Sequence, residues 1–129
     1  MMLDESATDV GVVLRAKHDG VLDGLNLKLA KVGGISKMRF IRDLCVALHV
    51  PLELQDSSWS ELACAVVAHM GHSTPTRCVR SCLYPKGLER TIVENGPQLI
   101  NGRVRAPDGP GGGARPIEEE IGAPIAVYE

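Results

Sequence analysis

Gly24-Leu25-Asn26-Leu27-Lys28-Leu29-Ala30, followed at once by Lys31-Val32-Gly33-Gly34, is the stretch on which the fold turns. Its leucines fall at every second position. Leu25, Leu27 and Leu29 therefore point one way, and Asn26, Lys28 and Ala30 the other, as in a strand over residues 24–30. Gly33-Gly34 makes a tight turn into a helix, and Ser36 is placed to cap it. Met38, Ile41, Leu44, Cys45 and Leu48 then recur at three- and four-residue spacing, the apolar stripe of that helix. The same unit repeats on both sides. Upstream, residues 1–5 read as a short strand, and Ser6-Ala7-Thr8-Asp9 as a helix start. Val10, Val13, Leu14 and Lys17 share one face, and His18-Asp19-Gly20 closes the element. Downstream, residues 50–55 form a strand with Leu52 and Leu54 on one face. Ser58-Trp59-Ser60-Glu61 has capping-box spacing and opens a helix with Leu62, Ala63, Val66, Val67 and Met70 inward. Residues 77–83 make a further strand. Strands alternating with helices of this length predict an α/β fold of parallel strands joined by right-handed crossovers.

The last forty residues are different in kind. Residues 1–85 carry the alternation, and residues 86–129 form a Gly/Pro-rich tail. Within it, Gln98-Leu99-Ile100 and Arg103-Val104-Arg105 flank Asn101-Gly102, a strong hairpin signal. Residues 116–121 predict one helical turn and residues 123–128 a last short strand.

The 129 residues suffice for one domain, with 44% hydrophobic and 23% charged side chains, which excludes global disorder. Aromatic residues make up only 3%, so the core is aliphatic. Fourteen basic against sixteen acidic residues give a net charge of −2, too weak a field to hold nucleic acid or an anionic membrane. No apolar run is long enough to span a bilayer, and Met1-Met2-Leu3-Asp4-Glu5 lacks the basic and apolar regions of a leader. Cys45 and Cys64 fall inside apolar helical patterns, with Cys78 and Cys82 further on. No disulfide framework is suggested, and a reducing cytoplasmic setting is expected.

Lys28 is the most informative residue. A lysine near the carboxyl end of a parallel strand is costly unless it reaches a polar site. Two readings stand: a catalytic lysine at a rim, or a lysine snorkelling to water from an edge strand. Asp4-Glu5, at the end of the first strand, either aims a carboxylate at a hard cation or compensates the dipole of the following helix. Asp56 and Trp59 follow the strand at 50–55, where α/β proteins bind ligands. They either receive a substrate cation, or cap a helix and cover the sheet end. His69, His72, Cys78 and Cys82 invite a zinc reading, against one in which the histidines end a helix. Gly33-Gly34 is no dinucleotide fingerprint, and Gly111-Gly112-Gly113 lacks the Lys-Ser/Thr of a phosphate loop.

Taken together, Leu3-Asp4-Glu5-Ser6, the run from Asn26 to Ile35 (NLKLAKVGGI), and Asn101-Gly102-Arg103-Val104 with Pro107-Asp108-Gly109-Pro110-Gly111 resemble the C-terminal part of the enolase superfamily. The branch is that of mandelate racemase and muconate lactonizing enzyme. Ile41-Arg42-Asp43-Leu44-Cys45, Asp56-Ser57-Ser58-Trp59 and Ala68-His69-Met70-Gly71-His72-Ser73-Thr74-Pro75 are similar to members acting on proline derivatives, the cis-3-hydroxyproline dehydratases and proline-betaine epimerases. An extra serine separates Asp56 from Trp59 here.

The resemblance implies a partial (β/α)8 (TIM) barrel: about strands five to eight in residues 1–85, with the tail, 86–129, packing back on them. It implies a magnesium-dependent enzyme that removes a proton alpha to a carboxylate, by racemisation, epimerisation or dehydration of a proline-type substrate. Lys28 would be an acid/base, Asp4 one of three Mg2+ ligands, and Asp56 and Trp59 substrate-binding. A capping domain, four strands, a Lys-x-Lys pair and two further metal carboxylates lie outside this chain. It is therefore expected to need a missing N-terminal half or a second copy, and to be inactive alone. The alternatives are a non-catalytic remnant or a small zinc-binding α/β domain.

Overall fold

The computed structural model describes residues 1–57, 60–84 and 89–127. In chain order, β1 (Met2–Leu3), α1 (Val10–His18), β2 (Gly24–Lys28), α2 (Leu29–Val32), α3 (Ile35–Ala47), β3 (Leu52–Gln55) and α4 (Glu61–His72) lead to β4 (Val79–Cys82). The four strands form one sheet in the order β1-β2-β3-β4, every pair parallel. This is the α/β architecture expected from the sequence, open at β1 and β4 among the described residues. No described helix is long and apolar enough to cross a membrane.

Strand alternation sorts the two faces. Leu25, Leu27, Leu52 and Leu54 are fully buried. They share one core with Val13 of α1, Met38, Ile41 and Cys45 of α3, and Val67 and Met70 of α4. The opposite face carries Asn26, Glu53 and Ser81 in one register row, and Lys28 and Gln55 in the next. At about 25 cal/mol per Å2 of apolar surface, the leucine face is the dominant stabilising layer.

Several elements differ from the sequence expectation. β2 stops at Lys28 and passes directly into the single turn of α2, so Leu29 and Ala30 are helical. Gly33 (φ 77°) and Gly34 (φ 124°) take left-handed backbone between α2 and α3. Gly34 is the N-cap, which leaves Ser36 inside α3 without a capping role. In α1, Asp9 caps by accepting from Val12 N at 3.1 Å. The face buries Val13 and Ala16, while Leu14 stays 47% exposed.

Ser60 caps α4, accepting from Ala63 N at 3.1 Å. Ser58 and Trp59 lie outside the described residues, so the capping box is not among the observed contacts. Glu61 turns instead to the tail, accepting from Ile92 N at 2.7 Å and from Thr91 Oγ1 at 2.9 Å. Cys64, Ala65, Val67, Ala68 and Met70 form the buried side of α4, and Leu62, Ala63 and Val66 are only half-buried. The helix is apolar almost all round, so its pattern alone does not mark the inward side. The strand expected at 77–83 shortens to β4, because Pro75 starts a 3-10 turn over Thr76–Cys78. Register shifts between Leu52 and Glu53, leaving Arg80 as the extra residue of a bulge.

In the tail, β5 (Val93–Glu94) pairs antiparallel with β8 (Arg115–Pro116), a contact the sequence did not announce. β6 (Gln98–Ile100) and β7 (Arg103–Arg105) form the expected hairpin, with Asn101 (φ 50°) and Gly102 (φ 75°) both left-handed at its turn. α5 (Glu118–Ile121) is the expected helical turn. Residues 123–127 form no strand, and Tyr128 lies outside the described residues. The tail is tied to the last turns of α4: His69 Nε2 lies 3.1 Å from Gly112 O, and His72 Nε2 3.1 Å from Val104 O.

Candidate active site

Parallel strands deliver their carboxyl ends to one rim. β1 ends at Leu3, so Asp4 and Glu5 follow at that rim beside the end of β2. Lys28, the last residue of β2, meets them. Its Nζ lies 2.6 Å from Asp4 Oδ1 and also pairs with Glu5 Oε1. Lys31, three residues on and within α2, holds Glu5 Oε2 at 2.5 Å. The Lys28 side chain is only 11% exposed, whereas Asp4 and Glu5 are 47% and 62% exposed. Lys28 is thus a nearly buried ammonium under a half-open acidic pair, and the reading of a lysine snorkelling from an edge does not hold for it.

Position follows from local chemistry. The first N–H groups of a helix lack partners within it. Asp56, directly after β3 and 4% exposed, supplies one: its Oδ1 accepts from Ala30 N at 2.9 Å. That bond starts the helix immediately after Lys28 and ends β2 there. Asp56 thereby stands next to the Lys28 segment, as the capping reading has it. Trp59 falls outside the described residues.

The charges set the protonation states. Hydrogen bonds donated to Asp4 first, then to Glu5, raise the Lys28 pKa above its ordinary value, against a smaller effect of burial. Lys28 and then Lys31 lower Glu5 to about 2. In this arrangement Lys28 is an acid with a proton to give. To act as a base it must lose the company of the carboxylates.

The thiols are unreactive in comparison. Burial raises Cys45 to about 12, and Cys64 and Cys82 to about 11, far from thiolate chemistry at neutral pH.

Asp4 and Glu5 are the only acids that the described geometry places on Lys28. No group of three or more histidine, cysteine, aspartate or glutamate side chains gathers among the described residues. The donors among the described residues therefore do not by themselves fit a three-carboxylate magnesium centre. The same finding removes the zinc reading. His69 and His72 are spent on tail carbonyls, Cys78 is buried, and Cys82 Sγ points to Val67 O at 3.6 Å.

The sequence reading named Glu5 within the Asp4-Glu5 pair but not its partners, and it gave Arg42 no structural role. Glu5 bridges both lysines, and the three-residue spacing of Lys28 and Lys31 was the available signal. Arg42 is 7% exposed. Its Nη1 donates to Ser73 O and Ser73 Oγ, both at 2.9 Å, bolting α3 to the end of α4.

Comparison with known proteins places this geometry. The family model described as enolase C-terminal domain-like matches residues 1–120. The cis-3-hydroxy-L-proline dehydratase of Roseibium aggregatum is 34% identical over 128 residues, covering 98% of this chain and 35% of that one. A mandelate racemase/muconate lactonizing enzyme from Roseovarius nubinhibens superposes with a TM-score of 0.91 at 35% identity, over 98% of this chain and 34% of its own. A further enolase-superfamily member from that organism, complexed with magnesium, gives a TM-score of 0.90 at 30% identity, over 99% of this chain and 35% of its own. The chain thus spans about a third of the length of these relatives.

Proposed function

The chain belongs to the enolase C-terminal domain-like family, and from that premise we propose that it forms the Lys28 side of a site for removing or returning a proton alpha to a carboxylate. The reaction class is racemisation, epimerisation or dehydration, and the substrate a proline-type amino acid derivative. The observation that supports it most is the placing of Lys28 Nζ, nearly buried, against Asp4 and Glu5 at the carboxyl ends of parallel strands.

In this reading Lys28 holds a proton at Nζ and delivers it to the alpha carbon, or receives it once the acidic pair is drawn away. Lys31 keeps Glu5 in place, and Asp56 fixes the backbone behind Lys28. Asp56 is also proposed, with Trp59, to face the substrate's ammonium. Asp4 is proposed as the one magnesium ligand this chain contributes. The remaining donors and the opposing base are proposed to come from polypeptide outside it. The division into residues 1–85 and a tail at 86–129 is part of the same proposal.

The test is complementation. The chain is co-produced with the N-terminal part of the Roseibium dehydratase, and cis-3-hydroxy-L-proline is supplied as the probe. Turnover is expected from the mixture and not from this chain alone. Lys28→Ala is expected to lower it by a factor of about 10^2 or more. An assembled mixture without turnover, or one indifferent to Lys28→Ala, overturns the reading.

A further inference from the structure

On the face of the sheet away from the helices, Asn26 of β2, Glu53 of β3 and Ser81 of β4 stand in one register row. Asn26 is 6% exposed, and its Oδ1 has no hydrogen-bond partner among the described residues. Such an acceptor is destabilising in a folded chain. Glu53 is half-buried beside it, and no ion pair of Glu53 forms among the described residues. Two acceptors, one of them charged, thus sit side by side without a donor.

We propose that Asn26 and Glu53 together receive one cationic side chain, a lysine or arginine, from the polypeptide that completes the barrel. This rests on the proposed function above, in that a completing polypeptide exists. Closing the barrel takes this row out of water. A carboxylate removed from water without a counter-charge is too costly to be tolerated. A neutral donor would satisfy Asn26 and leave Glu53 uncompensated. An ammonium or guanidinium carries enough N–H groups for both and cancels the charge. The row lies one step below Lys28, since Asn26 stands two residues before it on the same face of β2.

Arg80 is a competitor among the described residues. The bulge puts Arg80 near the row, and its Nη1 lies 3.7 Å from where a Cβ on Gly24 would stand, below Asn26. If Arg80 were the true partner, no outside cation would be needed.

Two measurements on the chain as it stands decide the matter. Asn26→Leu, which removes the orphaned acceptor, is expected to raise the Tm by about 3 °C. An unchanged or lower Tm overturns the proposal. In the second, the isotopically labelled chain is titrated with n-butylammonium, with n-butanol as the neutral probe. The Asn26 side-chain amide signal is expected to shift saturably with the ammonium and not with the alcohol. The response should vanish in Glu53→Gln and persist in Lys28→Met. No response, an equal response to butanol, or a response that appears only in Arg80→Met overturns the proposal. The titration requires no turnover, so its failure and a failure of the catalytic reading are told apart.

Discussion

Lys28, Glu5 and Asp56 each make a claim that one substitution can test. Glu5 is held near 2 by the two lysines, below its ordinary 4.5. A lowered carboxylate contributes stability above its unfolded pKa and loses it as pH falls through the folded one. The contribution of Glu5 is therefore expected to fade between pH 4.5 and about 2. Glu5→Gln should flatten that part of a stability–pH curve, as should about 1 M salt, because the pair is exposed. Lys28 behaves in the opposite sense. Its raised pKa adds stability at and below its ordinary value of 10.5, lost only as pH climbs through the raised one. Asp56→Ala removes the acceptor for Ala30 N and is expected to cost about 1–2 kcal/mol in urea unfolding, with Asp56→Asn costing less. The residue types at this site were readable in the sequence. Lys28 stood out because lysine is costly at the end of a buried strand, and Asp4-Glu5 because it closed the strand before. That Glu5 bridges two lysines was not readable, since a carboxylate's partners depend on register between strands 20 residues apart.

Among elements, the α2–α3 junction carries the sharpest expectation. Gly34 sits at φ 124° with nothing within 4 Å of an added Cβ. Any penalty there comes from backbone alone. Gly34→Ala is expected to cost about 1–3 kcal/mol, and Gly33→Asn, at an ordinary left-handed φ of 77°, well under that. Thermal or urea unfolding of the two variants checks the order. The hairpin was legible because its turn chemistry is local: Asn101-Gly102 adopts the two positive φ angles it promises. The end of β2 and the cap of α3 were not legible. Asp56, 26 residues away, decides the first, and Gly34 rather than Ser36 takes the second. The β5–β8 pair joins residues more than 20 apart through two hydrogen-bonded positions, with no pattern to betray it.

For the molecule as a whole, β1 and β4 have no strand along their outer sides among the described residues. Open edges recruit strands from other chains. Sedimentation of the isolated chain is expected to show mass rising with concentration, and a completing polypeptide to suppress the rise. A strictly monomeric chain at high concentration would contradict this. The alternating pattern of residues 1–85 made the parallel sheet legible, because period-two leucines and three-to-four spacing are local signals. How far the sheet closes was not, because closure is set by edge pairing and not by any local pattern.

The grip of Asp56 on Ala30 has a consequence for how such a chain can change over time. The carboxylate sits ahead of the stretch between Ser57 and Ser60, so residues gained or lost there leave the hold on Ala30 as it was. A lineage can gain or lose residues there while the backbone behind Lys28 stays where it is.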